Sequence, residues 1–215
     1  MATISKDAAF WSKISRKYAA SPIGNMDGYR NTLERTKSHL KPSDNALEMG
    51  CGTGSTALLL APHVANITAT DIAPGMIEIA QEKLDQGGPE NVKFKVAEVQ
   101  DHARDNGCYD VVMAHNLLHL LPDLDEALTV ISKITKTEGL FISKTVCAPN
   151  KTGLKYGLIR HLAIPVMQAI GKAPFVKFVS AKELERKIED AGFKILETGD
   201  QAGTMLSRYI IARKT

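Results

Sequence analysis

Cysteine is scarce in this chain, with three in 215 residues: Cys51, Cys108 and Cys147. They lie far apart and form no C-x-x-C pair, so neither a zinc site nor a disulfide framework is expected. Reduced thiols in a cytoplasmic protein are the simpler reading. Residues Met1 to Asp7 lack the apolar core of a secretory leader. No uncharged apolar run approaches the roughly 20 residues of a membrane-spanning helix. Hydrophobic and charged contents of 44% and 24% are ordinary for a globular chain. At 215 residues a single domain spanning 1–215, with a substantial core, is expected. A net charge of +3 is too small to imply a nucleic-acid partner.

Acid is missing locally. From Gly139 to Lys182 there is no Asp or Glu, while Lys144, Lys151, Lys155, Arg160, Lys172, Lys177 and Lys182 are all cationic. These seven charges exceed the chain's total of +3, so the remainder is net negative. The same stretch is apolar at helical spacing through Leu154, Leu158, Leu162, Val166 and Ile170, with Pro165 as a kink. A basic amphipathic stretch of this kind can also meet an anionic membrane surface, so residues 151–182 are a candidate peripheral-membrane or anionic-partner segment.

The richest segment is Ala46-Leu47-Glu48-Met49-Gly50-Cys51-Gly52-Thr53-Gly54, a short apolar strand entering a loop with Gly at every second position. Glycine allows positive φ and carries no Cβ, so a ligand can lie on bare backbone. The following run, Ser55 to Ala61, is helix-compatible and aims free N–H groups at that ligand. Two phosphate-binding patterns are absent. A dinucleotide fingerprint needs G-x-G-x-x-G, and the third Gly here comes one position early. A P-loop needs G-K-[ST], and no Lys follows Gly54. Glu48 stands where a pyrophosphate would be repelled. A cofactor without phosphates fits best.

Strands and helices alternate downstream: strand 45–49, helix 54–61, strand 66–71, helix 74–86, strand 92–97, a short helix near 99–105, strand 109–114, helix 123–136 and strand 139–146. Helix 180–191 and strands near 193–198 and 204–213 close the chain. Upstream, residues 4 to about 40 read as two helices broken at Ser21-Pro22-Ile23-Gly24-Asn25. Such alternation implies an α/β fold with a parallel sheet and helices on both faces. Ligands then bind beyond the carboxyl ends of the strands. Glu48, Asp71, Glu98 and His115 all fall at such ends.

These motifs resemble those of class I S-adenosylmethionine-dependent methyltransferases, small-molecule type, near the quinone-biosynthesis group. Glu48 to Gly54 matches that family's E-x-G-x-G-x-G. Asn66 to Asp71, followed by Ile72-Ala73-Pro74-Gly75-Met76, is similar to the strand whose acid accepts the cofactor's ribose hydroxyls. Val92 to Val99 resembles the strand whose terminal acid contacts adenine, with Glu98 where Asp is commoner. Tyr109 to Leu120 resembles the strand and turn that line the methyl-transfer site. The resemblance covers roughly residues 45 to 145. It implies a Rossmann-like, doubly wound seven-stranded sheet, mostly parallel, with a C-terminal antiparallel hairpin. It implies S-adenosyl-L-methionine as cofactor, held by Glu48, Gly50, Cys51, Gly52, Gly54, Asp71, Ile72, Met76, Glu98, Val99 and His115. It also implies a helical lid from residues 1–40 and a basic helical insertion at 150–180 over the acceptor site.

Several residues keep two readings. Asp71 is a ribose ligand or the N-cap of the helix opening at Pro74. His115 and His119 stand i, i+4, but Asn116 replaces the Glu of H-E-x-x-H, so no metal is expected. The resemblance places His115 beside the transferred methyl and His119 just beyond it, as candidate catalytic bases or as polar residues shaping a pocket. Tyr18 and Tyr29 belong to the lid or to helix packing. No N-P-P-Y or D-P-P-Y follows this strand, which argues against methylation of nucleic-acid bases. The expected activity is methyl transfer to oxygen or nitrogen of a small-molecule acceptor. The alternatives are a lipid or membrane-embedded acceptor, or a binding module that holds the cofactor without transferring methyl.

Overall fold

The computed structural model describes residues 5–105, 107–148, 164–169, 173–201 and 206–215. Two helices come first, α1 (Lys6–Ala20) and α2 (Met26–Lys37). Each starts on a side-chain cap: Ser5 accepts from Ala8 N–H, and Asn25 from Gly28 N–H. The alternating region follows as β1 (Asn45–Met49), α3 (Ser55–Leu60), β2 (Asn66–Asp71), α4 (Pro74–Asp85), β3 (Val92–Val96) and β4 (Tyr109–His115). It continues with α5 (Leu124–Ile134), β5 (Thr135–Val146), α6 (Ile164–Ala169), α7 (Ala181–Asp190), β6 (Phe193–Gln201) and β7 (Ser207–Lys214). Short 3-10 turns occupy Ala61–His63, Val99–Arg104 and Leu118–Leu120.

The strands form one seven-stranded sheet in the order β3-β2-β1-β4-β5-β7-β6. The pairs among β3, β2, β1, β4 and β5 are parallel, and β7 is antiparallel to both β5 and β6. This is the expected Rossmann-like sheet with its closing hairpin. The chain winds outward from β1 to β3, returns to lay β4 beside β1, and winds the other way. The topological switch therefore lies between β1 and β4.

Strand residues alternate between two cores. One face buries Leu47, Val112, Ala114, Phe141 and Ile210 against Leu128 and Ile131 of α5 and Leu184 and Ile188 of α7. The other buries Ala46, Val111, Met113, Ile142, Tyr209 and Ile211 against Ala57 and Leu60 of α3 and Leu33 of α2. By the same alternation Glu48, His115 and Lys144 belong to this second face, each two residues beyond a member of its core.

One boundary differs from expectation. Helix α5 ends at Ile134, and β5 begins at Thr135 rather than at 139. The register against β4 slips between Tyr109 and Val111, with Tyr109 opposite Thr135 and Val111 opposite Leu140. Four residues of β5, 136–139, therefore face the single residue Asp110 of β4, so three are extra. Glu138 takes φ 63°, and a Cβ on Gly139 would meet Lys136 O at 2.7 Å. The apolar run that marks a strand in sequence starts only after this irregularity.

Helix α2 is fastened to the far end of the sheet. Arg35 Nε donates to Glu197 Oε1 at 2.7 Å, and its guanidinium lies 4.2 Å over the ring of Tyr209. Thr36 Oγ1 donates to Thr32 O at 2.9 Å, so the 3.1 Å contact with Tyr209 is a donation from the phenol. Burial pushes the Tyr209 phenol up to about 12. Tyr209→Phe removes one neutral hydrogen bond and is expected to cost about 1 kcal/mol. Thr36→Val instead strands a fully buried phenol and should cost more, about 1–3 kcal/mol. Urea unfolding checks the order, and an equal or reversed cost would refute this account of the contact.

Candidate active site

The three glycines of the loop have different physical reasons. All have positive φ: 66° at Gly50, 53° at Gly52 and 76° at Gly54. A Cβ on Gly50 would lie 2.8 Å from Leu117 Cδ1. One on Gly54 would lie 2.6 Å from Phe94 Cζ and 2.7 Å from Ala80 Cβ, so Gly54 lets α3 approach β3 and α4. One on Gly52 would meet only Tyr18 Cε1, at 4.0 Å. Gly52 therefore keeps an open backbone surface facing the cleft.

Asp71, at the end of β2, clamps this loop. Its Oδ2 accepts from Gly52 N–H at 2.9 Å, and its Oδ1 accepts from Ala73 N–H at 2.9 Å. Burial raises its pKa, opposed by those two N–H donors. Both readings of Asp71 meet here, because the carboxylate binds the chain entering α4 while each oxygen keeps a second lone pair for a ligand. On the other side Lys83 Nζ donates to Thr53 O at 2.9 Å and Ser55 Oγ at 2.8 Å.

Beyond these strand ends lies a cleft of about 930 Å³. Sites for small ligands span roughly 300–1,000 Å³, so this one can take a nucleoside-sized cofactor and a second small molecule. Glu48, Gly50, Cys51, Gly52, Asp71, Ile72, Met76, Glu98, Val99 and His115 line it. Gly54 does not, for the packing reason above, and neither does His119. Its wall also includes Trp11, Tyr18, Tyr29, Leu117, Leu120 and Phe175. Helix α1 reaches this wall by packing on α4, where Ser12 Oγ accepts from Gly75 N–H at 3.2 Å and Arg16 pairs with Glu78 and Glu82. Asp7 Oδ1 accepts from Phe175 N–H at 2.9 Å, joining α1 to the segment before α7.

At the switch point His115 Nδ1 lies 3.4 Å from Glu48 Oε1, at the long end for a hydrogen bond. Both side chains are largely buried, at 9% and 3% exposure. His115 Nε2 and Glu48 Oε2 have no hydrogen-bond partner among the described residues. Two unpartnered buried polar atoms beside a cleft are within reach of a ligand there. Cys51 is buried next to Glu48 and Asp71, and burial first, then those charges, pushes its thiol well up, so it is a wall residue and no nucleophile. Among the described residues, no group of His, Cys, Asp or Glu is placed to hold a metal ion.

Reading the sequence missed Lys83, Asn116 and Lys144 in this cleft. Lys83 has no local signal, since it reaches the loop from the far end of α4. Asn116 takes φ 57°, a conformation Asn tolerates better than most residues, and its N–H donates to Lys144 O at 2.7 Å. Lys144 was legible by the strand-end rule that selects Glu48 and His115. The basic stretch at 151–163, with Leu154, Leu158, Leu162, Lys151, Lys155 and Arg160, lies outside the described residues, as do Ile170 and Lys172.

The glycine assignments separate by experiment. Gly54→Ala combines a left-handed backbone with a clash and should cost about 2–5 kcal/mol, lowering Tm by roughly 4–20 °C. Gly52→Ala carries only the backbone cost, about 1–2 kcal/mol, yet roughens the open surface and should weaken ligand binding more than stability. Melting curves that rank the two variants the other way would overturn the distinction.

His119 yields a pH prediction. Its ring stacks on Phe178 at 6.0 Å, its Nδ1 has no partner among the described residues, and burial lowers its pKa to about 4. The unfolded chain takes up this proton near pH 6.5, whereas the folded protein resists it until about 4. The unfolded state therefore binds more protons in that window, and stability falls as pH drops through it. The loss should reach at most about 2 kcal/mol between pH 6.5 and 5. Urea midpoints at both pH values check it, and His119→Asn should remove most of the slope.

The comparisons with known proteins agree with this geometry. A family model described as a methyltransferase domain matches residues 40–193. A highly reducing polyketide synthase of Emericella nidulans is 33% identical over 186 residues, 80% of this chain but 7% of that protein. A magnesium-protoporphyrin O-methyltransferase of Rhodobacter capsulatus is 31% identical over 116 residues, 52% of each. The chain thus spans a small fraction of the synthase and about half of the O-methyltransferase. In fold, a chain of a complex described as that between the Haloferax volcanii Trm112 methyltransferase activator and a methyltransferase matches with TM-score 0.73 and 16% identity, covering 99% of both chains. A geranyl diphosphate methyltransferase solved with sinefungin matches with TM-score 0.70 and 14% identity over 86% of this chain and 78% of that one. This chain belongs to the S-adenosylmethionine-dependent methyltransferase family.

Proposed function

We propose that this protein transfers a methyl group from S-adenosylmethionine to an oxygen or nitrogen atom of a small, largely apolar acceptor. In this reading it is of the small-molecule type that resembles the quinone-biosynthesis group. The observation that carries the choice of nucleophile is the Glu48–His115 pair. Glu48 Oε1 faces Nδ1 of His115, while Nε2 stays buried without a partner beside the cleft. A neutral imidazole held that way accepts a proton from an O–H or N–H group, a step worth about 10²–10⁴-fold.

The residues present fit the cofactor. The open face of Gly52 takes its backbone-hugging part, Asp71 at the end of β2 and Glu98 two residues past β3 stand for its ribose and adenine, and Glu48 Oε2, unpartnered among the described residues, suits its ammonium group. S-adenosylmethionine supplies a methyl carried on a sulfonium, already a strong electrophile. What remains for the chain is to orient the acceptor and exclude water, and orientation can supply roughly 7–11 kcal/mol. Trp11, Tyr18, Leu117, Leu120 and Phe175 provide the apolar walls for that task. In this reading α1 and α2 serve as the lid, and the basic segment at 150–180 as the acceptor-side cover. No helix among the described residues is long and apolar enough to cross a membrane. In this reading Cys51, Cys108 and Cys147 are thiols, which suits a reducing compartment such as the cytoplasm.

Calorimetry with S-adenosylhomocysteine and NADH tests the cofactor, and binding of NADH alone would overturn the reading. Asp71→Ala should weaken S-adenosylhomocysteine binding by about 1.5–3 kcal/mol with the fold retained, since a charge-assisted contact is lost. An unchanged affinity with a collapsed Tm would make Asp71 purely a clamp. With an acceptor found by mass-spectrometric screening of metabolite pools for methylated products, His115→Asn should lower kcat about 10²–10⁴-fold. A kcat left unchanged would make His115 a wall residue.

A further inference from the structure

We propose that Lys144 is the specificity-determining residue of the acceptor site and pairs with an anionic group on the acceptor, most simply a carboxylate. The proposal rests on the methyltransferase reading above and names the substrate class of that same site.

The first observation is charge. Among the described residues Lys83 and Lys144 are the lysines that line the cleft, and no described arginine lines it. Lys83 is committed to Thr53 and Ser55. Lys144 makes no side-chain hydrogen bond or ion pair with any described residue. Residues outside the described set cannot supply a counter-ion, because residues 1–4, 106, 149–163, 170–172 and 202–205 contain no Asp or Glu. The half-buried ammonium is thus without an internal carboxylate. Burial alone lowers its pKa, with no opposing charge to restore it. An anion in the cleft would supply that charge.

The second observation is position. Lys144 stands directly opposite His115 in the parallel β4–β5 register. Alternation puts Glu48, His115 and Lys144 on one sheet face of β1, β4 and β5, with Glu48 paired to Met113, two residues before His115. Asp71 ends β2, three strand spacings from β5, or about 14 Å. The nucleoside half of the cleft is therefore the β1–β3 side, and Lys144 marks the opposite side, past the proposed proton acceptor. An acceptor whose nucleophilic atom meets His115 can place a charged substituent on Lys144. Its apolar body then rests on Leu117, Leu120 and Phe175.

The cofactor's own carboxylate is the other anion that could reach this lysine, and the experiment separates the two. Benzoate, cinnamate and octanoate, each beside its amide, are titrated by calorimetry into the protein saturated with S-adenosylhomocysteine. The proposal expects wild type and Lys144→Arg to bind at least one acid roughly tenfold more tightly than its amide, about 1.4 kcal/mol. Lys144→Gln should bind acid and amide equally, with its affinity for S-adenosylhomocysteine unchanged within about twofold. Absence of acid preference in wild type, or its persistence in Lys144→Gln, overturns the proposal. So does a tenfold loss of S-adenosylhomocysteine affinity in folded Lys144→Gln, which would assign the ammonium to the cofactor. The wild-type acid-to-amide ratio stands on its own should the variant fail to fold. Failure of wild type to bind S-adenosylhomocysteine would instead strike the methyltransferase reading, and the acid and amide titrations without cofactor would still judge Lys144.

Discussion

Two backbone N–H groups, those of Gly52 and Ala73, converge on the Asp71 carboxylate at 2.9 Å each. Much of the cleft depends on this one convergence. The first bond holds a loop of three left-handed glycines, a conformation with a high entropy cost on folding. The second fixes the chain just ahead of α4, whose opening turn carries Gly75. A Cβ there would meet Ser12 O at 2.9 Å, so the same turn sets how closely α1 approaches. A single carboxylate thereby ties together the loop after β1, the end of β2 and the helix that brings Trp11 and Tyr18 to the cleft. Burial opposes its charge, and the two N–H donors oppose that effect. The clamp is strongest while Asp71 is ionised, the state suited to hydroxyl donors.

Most of the fold was legible in the sequence, because its strands are short, apolar and bounded by turn residues. β1 and β2 occupy the residues that pattern alone assigns them, Asn45–Met49 and Asn66–Asp71. The capping residues Asn25, Asp123 and Ser180 each precede the helix they cap, which is why those starts were readable. The start of β5 was not, since Lys136-Thr137-Glu138-Gly139 carries no strand pattern and joins β5 through an irregular register. The site was legible where chemistry follows strand ends, and less so where it follows packing. Gly54 belongs to the loop motif in sequence, yet its missing Cβ makes room for Phe94 and Ala80. Nothing in a linear pattern separates that demand from ligand clearance. Lys83 is invisible for a similar reason, because its partners lie 28 to 30 residues away in sequence.

Charge is unevenly distributed along the strand ends of the cleft. There Glu48 and Asp71 line it from β1 and β2 and Glu98 from just past β3, whereas Lys144 lines it from β5, beyond His115; Lys83 of α4, Asp7 of α1 and Asp123 ahead of α5 line it from outside the sheet. The separation follows from the chain itself, whose acid-free stretch begins at Gly139, inside β5. On the proposed reading the acids at the ends of β1 and β2 face the cofactor and Lys144 faces the acceptor. S-adenosylmethionine carries a sulfonium, an ammonium and a carboxylate, and so a net positive charge, and the acids face it. Methyl transfer turns the sulfonium into a neutral sulfide, so the attraction of those acids weakens once the reaction is complete. Placing acids around the cofactor thus favours its binding before transfer and its release afterwards. A buried carboxylate such as Glu48 is costly to maintain without a partner. His115 Nδ1 faces Oε1, whereas Oε2 has no partner among the described residues, so on the proposed reading a cation bound in the cleft would offset the rest of that cost.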